Sequence, residues 1–332
     1  MYHRPVKCRF RSRDEVCEAG GPRDVSVIGL GTWQFGEPGW GWGSELDQQE
    51  ASRIVKRALE LWVNFFDTAT VYGNGRSEEI LSEVLGEDRH RVVITTKVAP
   101  PLEPGRVKRS AERSLRRLNM TSVELYQFHA PDNNVPLDRT MGALRELMES
   151  GQVRQVGVNN FGLSQWRRGE AALRSPLISN QVEYHLLERR HGESVLPHAR
   201  EQGRDVIAYS PLAQGLLSGK YGQNNVPQDV RAQYGIFNRQ SLRRAPDIVE
   251  ALRRVGEPLR RHSGPGGPCV AAQGPGGGGD PRGSQRRPTR GQRRRRRPDP
   301  VAGRALSARS GQPELGPSQL DSCMSFRAQR RI

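Results

Sequence analysis

Four residues suited to proton chemistry stand at regular places in this chain: Asp67, Tyr72, Lys97 and His129. Asp67 ends the strand-forming part of FFDTATVYGNG, and Tyr72 follows in the loop. Lys97 ends VVITTK, and His129 ends VELYQFH. A carboxylate beside an ammonium keeps it charged and oriented. An ammonium beside a phenol stabilises the phenolate and lowers the phenol's pKa from about 10. Such a phenol can give its proton to a carbonyl oxygen while the carbon receives a hydride, with an imidazole orienting the carbonyl. Taken singly, each residue also has a plain structural role: a helix-capping acid, a surface lysine with its stem along apolar ground, a loop-capping histidine, a core aromatic. Their joint placement at successive strand ends favours the chemistry.

Those strand ends belong to a regular pattern. From about residue 25 to 260, short apolar runs alternate with longer amphipathic ones. VSVIGLGTW, VNFFDTA, RVVITTKV, SVELYQFH, VRQVGV, LISNQVEY and DVIAYS read as strands, each followed by a helical segment. In DQQEASRIVKRALELW the apolar face is Ile54, Val55, Ala58 and Leu61. Ser77 is placed to cap the next helix and Gly86 to end it, and Gly151 ends LDRTMGALRELMES. Strands apolar on both faces fit a parallel sheet covered on both sides. Strict alternation leaves an open doubly wound sheet or a closed (β/α)8 barrel, and the spacing of the units favours the barrel. Only seven strands are legible. In GLGTWQFG, Gly29 and Gly31 follow a strand, but Trp33, Gln34 and Phe35 open no helix, so this is a strand-end turn rather than a dinucleotide fingerprint. A barrel places its chemistry at the C-terminal strand ends, where the four residues fall.

Taken in order, VSVIGLGTWQFG, NFFDTATVYGNGRSEEILSEVLG, VVITTKV, VELYQFHAPD, GQVRQVGVNNF, SNQVEYHLLERR and VIAYSPLAQGLLSGKY resemble the aldo-keto reductase superfamily across residues 25–261. The resemblance implies a (β/α)8 TIM barrel that reduces aldehydes or ketones with NADP(H), with Asp67, Tyr72, Lys97 and His129 as catalytic tetrad. It sets the nicotinamide carboxamide against Asn160 and Gln181, with Asn159 beside them, and stacks the ring on Tyr209. A flat aromatic suits that place, since it covers one ring face and leaves the other open. The pyrophosphate would run along Ser210, Leu212, Gln214 and Gly215, with Leu217, Ser218 and Lys220 further along the loop. Trp33 and Trp40 fall where aromatic loops of this family line the substrate pocket, or pack over the barrel mouth as does Trp42. No metal is implied.

The 332 residues carry a formal net charge of +16 and are 34% hydrophobic. The charge is uneven. Residues 262–332 hold fourteen Arg, no Lys and four acidic residues, so the body is not marked as a nucleic-acid binder. The four cysteines form no CxxC pair. No run approaches the roughly 18 apolar residues of a membrane helix, and the N-terminus lacks the apolar stretch of a signal peptide. A cytoplasmic protein acting on a small-molecule carbonyl substrate, away from membranes, is expected. Three segments follow: an atypical stretch 1–24 without the turns of the family's floor hairpin, the barrel at 25–261, and a tail at 262–332 containing thirteen Gly and nine Pro. The tail shows neither an eighth strand nor the segment that grips the adenosine phosphate in the resembled family. It reads as a basic disordered segment, as a divergent domain, or as an eighth unit translated out of frame; 47 Arg against five Lys point to GC-rich codons. Seven strands alone leave two edges unpaired. Two further functions therefore stand beside reduction: an impaired or non-catalytic barrel that binds partners, and nucleic-acid binding through the tail.

Overall fold

Every expected apolar run forms a strand. The computed structural model describes residues 7–9, 24–260 and 324–328. β1 (Lys7–Arg9) and β2 (Asp24–Ser26) form an antiparallel pair. β3 (Ile28–Gly31), β4 (Phe65–Asp67), β5 (Val93–Val98), β6 (Val123–Phe128), β7 (Val153–Asn159), β8 (Ser179–Glu183) and β9 (Asp205–Tyr209) lie side by side in chain order, all parallel. Helices α1 (Gln48–Glu60), α2 (Arg76–Leu85), α3 (Pro104–Leu118), α4 (Leu137–Glu149), α5 (Leu163–Leu173), α6 (Val195–Gln202) and α7 (Arg239–Arg260) follow β3 to β9 in turn. β10 (Met324–Ala328) lies between β9 and β3, antiparallel to both, and closes the barrel.

The expected incompleteness of the (β/α)8 pattern holds: among the described residues no eighth β/α unit follows β9, and the eighth position is taken by β10, a tail segment of reversed direction that pairs with both edges. Near the N-terminus β1 and β2 pair antiparallel. The remaining readings of the tail fall on residues outside those described.

Alternation along the strands sorts the side chains into an outer core and a layered interior. Outward residues such as Phe66, Ile94, Tyr126, Phe128, Val156 and Val158 join the main core beneath the helices. Inward, Val25, Phe65, Val93, Leu125 and Ile207 form an apolar floor. Above the floor lies a polar layer, where the Gln127 amide donates to Thr95 Oγ1 at 2.9 Å. Gly157 is required at this level, because a Cβ there would meet Ser179 Oγ at 2.3 Å. Asp67, Lys97 and Gln181 come next up their strands, two residues beyond Phe65, Thr95 and Ser179.

The helix ends show where local signals hold. Asp47 caps α1 by accepting from the Glu50 N–H at 2.8 Å; Ile54, Val55 and Ala58 are buried as expected, and Ala51 joins them. Leu61 is not: α1 ends before it, and it is 49% exposed, next to Trp62 at 75%. Gly75, in the left-handed region, stands at the cap of α2 in place of Ser77, whose hydroxyl instead donates to Thr32 O at 2.7 Å. No helix among the described residues is long and apolar enough to cross a membrane.

Candidate active site

The strand ends bring the four sequence-predicted residues together. Lys97 is completely buried, and its ammonium forms an ion pair with Asp67 Oδ1. It also donates to Thr68 O at 2.9 Å and to the Tyr72 hydroxyl at 3.2 Å, so its three N–H groups have three acceptors. Burial works against the Lys97 charge, but the Asp67 carboxylate and the Tyr72 oxygen outweigh it and hold the ammonium above its ordinary pKa. The half-buried Tyr72 stands over it, its ring edge-to-face with His129 at 5.5 Å between centroids. Burial raises the Tyr72 phenol above its usual value, and the Lys97 charge opposes this without reversing it. This corrects the expectation of a lowered phenol pKa: at this mouth desolvation exceeds the ammonium's pull. Burial, then the Lys97 charge, depress His129 to about 3, so its ring is neutral.

The loop that carries Tyr72 is fastened from behind. Glu78, fully buried, accepts from Thr96 Oγ1 at 2.6 Å and from Arg117 Nη1 at 3.1 Å. The Arg117 guanidinium lies against Gly75 so closely that a Cβ there would stand 2.2 Å from Arg117 Cζ. The Ser77 hydroxyl sits 2.8 Å from Thr32 Oγ1 and 3.0 Å from Thr68 Oγ1, which ties the start of α2 to the ends of β3 and β4.

A set of amides adjoins the tetrad. The Gln181 side-chain N–H donates to Asp67 Oδ2 at 2.8 Å, and Asn159 Nδ2 donates to Gln181 Oε1 at 2.9 Å. Asn160, exposed, accepts from the Tyr209 hydroxyl at 3.2 Å. Burial, then the charge of Glu183, push Tyr209 up to about 12. After β9 the backbone turns left-handed at Ser210, Ala213, Gln214 and Gly215. Gln214 Oε1 is buried without a hydrogen-bond partner among the described residues. Ser218 Oγ donates to Gly215 O at 2.7 Å, and Lys220 Nζ lies 5.4 Å from the Tyr221 ring centre. Leu212 packs at the edge of a satellite core, and Leu217 is buried in it beside Ala213, Leu216 and Tyr221. Their side chains help to hold the loop.

Trp33 and Trp40 stand with ring centres 4.4 Å apart, and Trp33 stacks toward Tyr72 at 6.2 Å. Trp40 meets Tyr234 at 6.0 Å and carries the Arg231 guanidinium over its ring at 4.6 Å. Trp42 turns the other way, packing on Phe35. Sequence reasoning missed Tyr234 and Arg231, which sit in a loop with no periodic pattern. It also missed the Gln181–Asp67 bond, whose partners are 114 positions apart. Nor did Glu78 or Arg117 stand out from the other helix-surface charges. Among the described residues no cluster of His, Cys, Asp and Glu could hold a metal ion.

A family model described as the aldo/keto reductase family matches residues 27–262. The chain is similar to an uncharacterized oxidoreductase of Mycobacterium bovis, at 45% identity over 239 residues, covering 72% of this chain and 74% of that protein. Among solved structures it is similar to a glycerol dehydrogenase from Gluconobacter oxydans, at 30% identity and a TM-score of 0.65, covering 73% of this chain and 77% of the other. An aldo/keto reductase from Klebsiella pneumoniae in complex with NADP and acetate matches at 30% identity and a TM-score of 0.52, over 58% of this chain and 67% of its own.

Proposed function

This chain belongs to the aldo/keto reductase family, and from that premise we propose that it reduces aldehydes or ketones to alcohols, with NADPH as hydride source and Tyr72 as proton donor. The observation that carries this reading is the surroundings of Lys97 Nζ. Its N–H groups go to Asp67, Thr68 O and the Tyr72 oxygen. Because the phenol oxygen accepts from Lys97, the phenol's own proton is left to point away from it. A carbonyl oxygen at the mouth takes that proton, and Lys97 already stands where negative charge then builds on Tyr72. Asp67 keeps Lys97 charged throughout. His129, neutral, does not compete as an acid and serves to orient the same carbonyl oxygen.

NADPH, when bound, supplies the hydride. Asn160 and Gln181 would hold its carboxamide, Tyr209 would cover one face of its ring, and the left-handed stretch from Ser210 to Gly215 would run along its pyrophosphate. The Klebsiella pneumoniae relative was solved with NADP. Trp33, Trp40 and Tyr234 form an aromatic wall outward from Tyr72, which favours small carbonyl compounds with apolar bodies.

Steady-state oxidation of NADPH with an aromatic aldehyde tests the reading. Tyr72→Phe keeps the ring but removes the transferable proton, so kcat should fall about 10²–10⁴-fold, with NADPH affinity nearly unchanged. Lys97→Met should act in the same direction. A Tyr72→Phe protein that works at the parent rate would refute the assignment.

A further inference from the structure

The loop that presents Tyr72 does not hold its own shape. Up to Thr70 the chain is bound to β5: the Thr68 N–H donates to Thr95 O at 2.9 Å and the Thr70 N–H to Lys97 O at 3.1 Å. From Tyr72 onward the backbone bonds are local, Tyr72 N–H to Ala69 O and Asn74 N–H to Val71 O, each at 3.2 Å. Gly73, Asn74 and Gly75 then follow in the left-handed region, with φ of +52, +55 and +91. Glycine takes either sign of φ with similar ease, so Gly-Asn-Gly leaves this turn open to other shapes. Two close approaches select the one observed. A Cβ on Gly73 would stand 2.6 Å from Gly36 O, and a Cβ on Gly75 would stand 2.3 Å from Arg117 Nη1. Arg117 is fixed in turn, since its Nη1 donates to Glu78 Oε2 at 3.1 Å. Glu78 accepts from Thr96, the strand neighbour of Lys97.

We propose that Arg117 is a positioning residue for the proton donor: its flat guanidinium, held by Glu78, is the wall behind Gly75 that keeps Tyr72 within reach of Lys97. The bond between Lys97 and the Tyr72 oxygen is 3.2 Å, at the long end of the usual range, so a small retreat of the loop opens it. A buried carboxylate such as Glu78 needs a cation beside it, and for that purpose alone lysine would serve. The contact with Gly75 asks for more. A planar guanidinium can donate in its plane to Glu78 while its body lies against a backbone carbon, whereas an ammonium is a point charge on a flexible stem. The wall stands on the geometry of the free protein. Its consequence for catalysis rests on the proposed role of Tyr72.

Arg117→Lys in the full chain tests this, because it keeps a cation for Glu78 and removes only the flat wall. Without cofactor, ¹H–¹³C spectra of tyrosine-labelled protein report the Tyr72 ring, whose signals are assigned by their loss in Tyr72→Phe. That ring lies edge-to-face with His129 at 5.5 Å and 6.2 Å from Trp33, so ring currents make its signals sensitive to displacement. In Arg117→Lys they should move or broaden, while those of Tyr221, packed on Phe237, stay in place. In steady-state reduction of an aromatic aldehyde, kcat should fall about 10–100-fold, the scale of a displacement near 1 Å, with NADPH affinity by fluorescence unchanged. Added to Tyr72→Phe, Arg117→Lys should cost nothing further, since the group it positions is gone. The proposal is overturned if Arg117→Lys leaves the Tyr72 signals or kcat at the parent values, or if its loss multiplies that of Tyr72→Phe. If Arg117→Lys does not fold, Gly75→Ala decides: its Cβ meets the wall from the other side, and unmoved Tyr72 signals would overturn the proposal equally. A parent protein that reduces no aldehyde defeats the proposed function, and the Tyr72 spectra still judge the wall.

Discussion

Replacing Trp62 by glycine should make the protein more stable. Trp62 has φ +64 and stands just beyond α1, where its N–H donates to Leu59 O at 3.0 Å and the Val63 N–H donates to Ala58 O at 2.9 Å. That pair of bonds is a Schellman ending, and its left-handed position is usually glycine because any Cβ crowds the following carbonyl. An L-residue there costs about 1–2 kcal/mol. The indole is 75% exposed and so contributes little packing to offset the strain. Glycine removes the strain but adds backbone entropy to the unfolded chain, worth about 0.5–1 kcal/mol. The net gain is about 0.5–1 kcal/mol, or about 1–4 °C in Tm for a domain of this size. Thermal melts and urea titrations of Trp62→Gly and Trp62→Ala measure it. Alanine keeps the Cβ and should gain nothing. If the glycine variant melts at or below the parent, or if alanine matches glycine, the backbone is not strained there and the argument fails.

Tyr209→Ala should weaken NADPH binding by about 1–3 kcal/mol through lost stacking; equal affinities in a fluorescence titration would remove its role. Gly157→Ala places a Cβ 2.3 Å from Ser179 Oγ and 3.2 Å from Gln127, and should cost about 1–3 kcal/mol in a urea titration. An unchanged midpoint would show that the polar layer can give way. His129 takes up a proton near pH 6.5 when unfolded but only near 3 when folded. Its contribution to stability is therefore complete above about pH 6.5 and is lost as the pH falls toward 3. His129→Gln should flatten the acid side of a plot of Tm against pH, and an unaltered slope would mean that the ring titrates normally.

Much of the candidate site was legible because each tetrad residue ends or follows a strand that its own neighbours specify. FFD and VITTKV are buried along their whole length, so Asp67 and Lys97 could be assigned to the mouth without knowing the register between strands. Contacts that depend on register or on long loops were not legible. Gln181 reaches Asp67 only because β8 and β4 face each other across the interior. The helix start was misplaced at Ser77 because a serine hydroxyl serves a cap and a buried strand end equally well. Leu61 fits the apolar period of α1, but the left-handed turn stops the helix one residue short. The balance of charge and burial at Tyr72 is likewise a property of the assembled mouth, since sequence shows the lysine but not the loss of water.

The strand β10 makes the closure of this barrel a matter of timing. Ribosomes make β3 among the first barrel strands and β10 after all the others, yet Ser325 pairs with Gly29. While the chain between β9 and β10 is being synthesised, β3 and β9 each present a row of unsatisfied backbone groups, and a neighbouring nascent chain offers the same two edges. Intramolecular closure and pairing between chains therefore compete, and such long-range pairing is intrinsically slow. Slower synthesis prolongs the exposure, and higher chain density raises the frequency of encounters. The yield of closed barrel should thus depend on how the protein is produced, even when its final stability is the same.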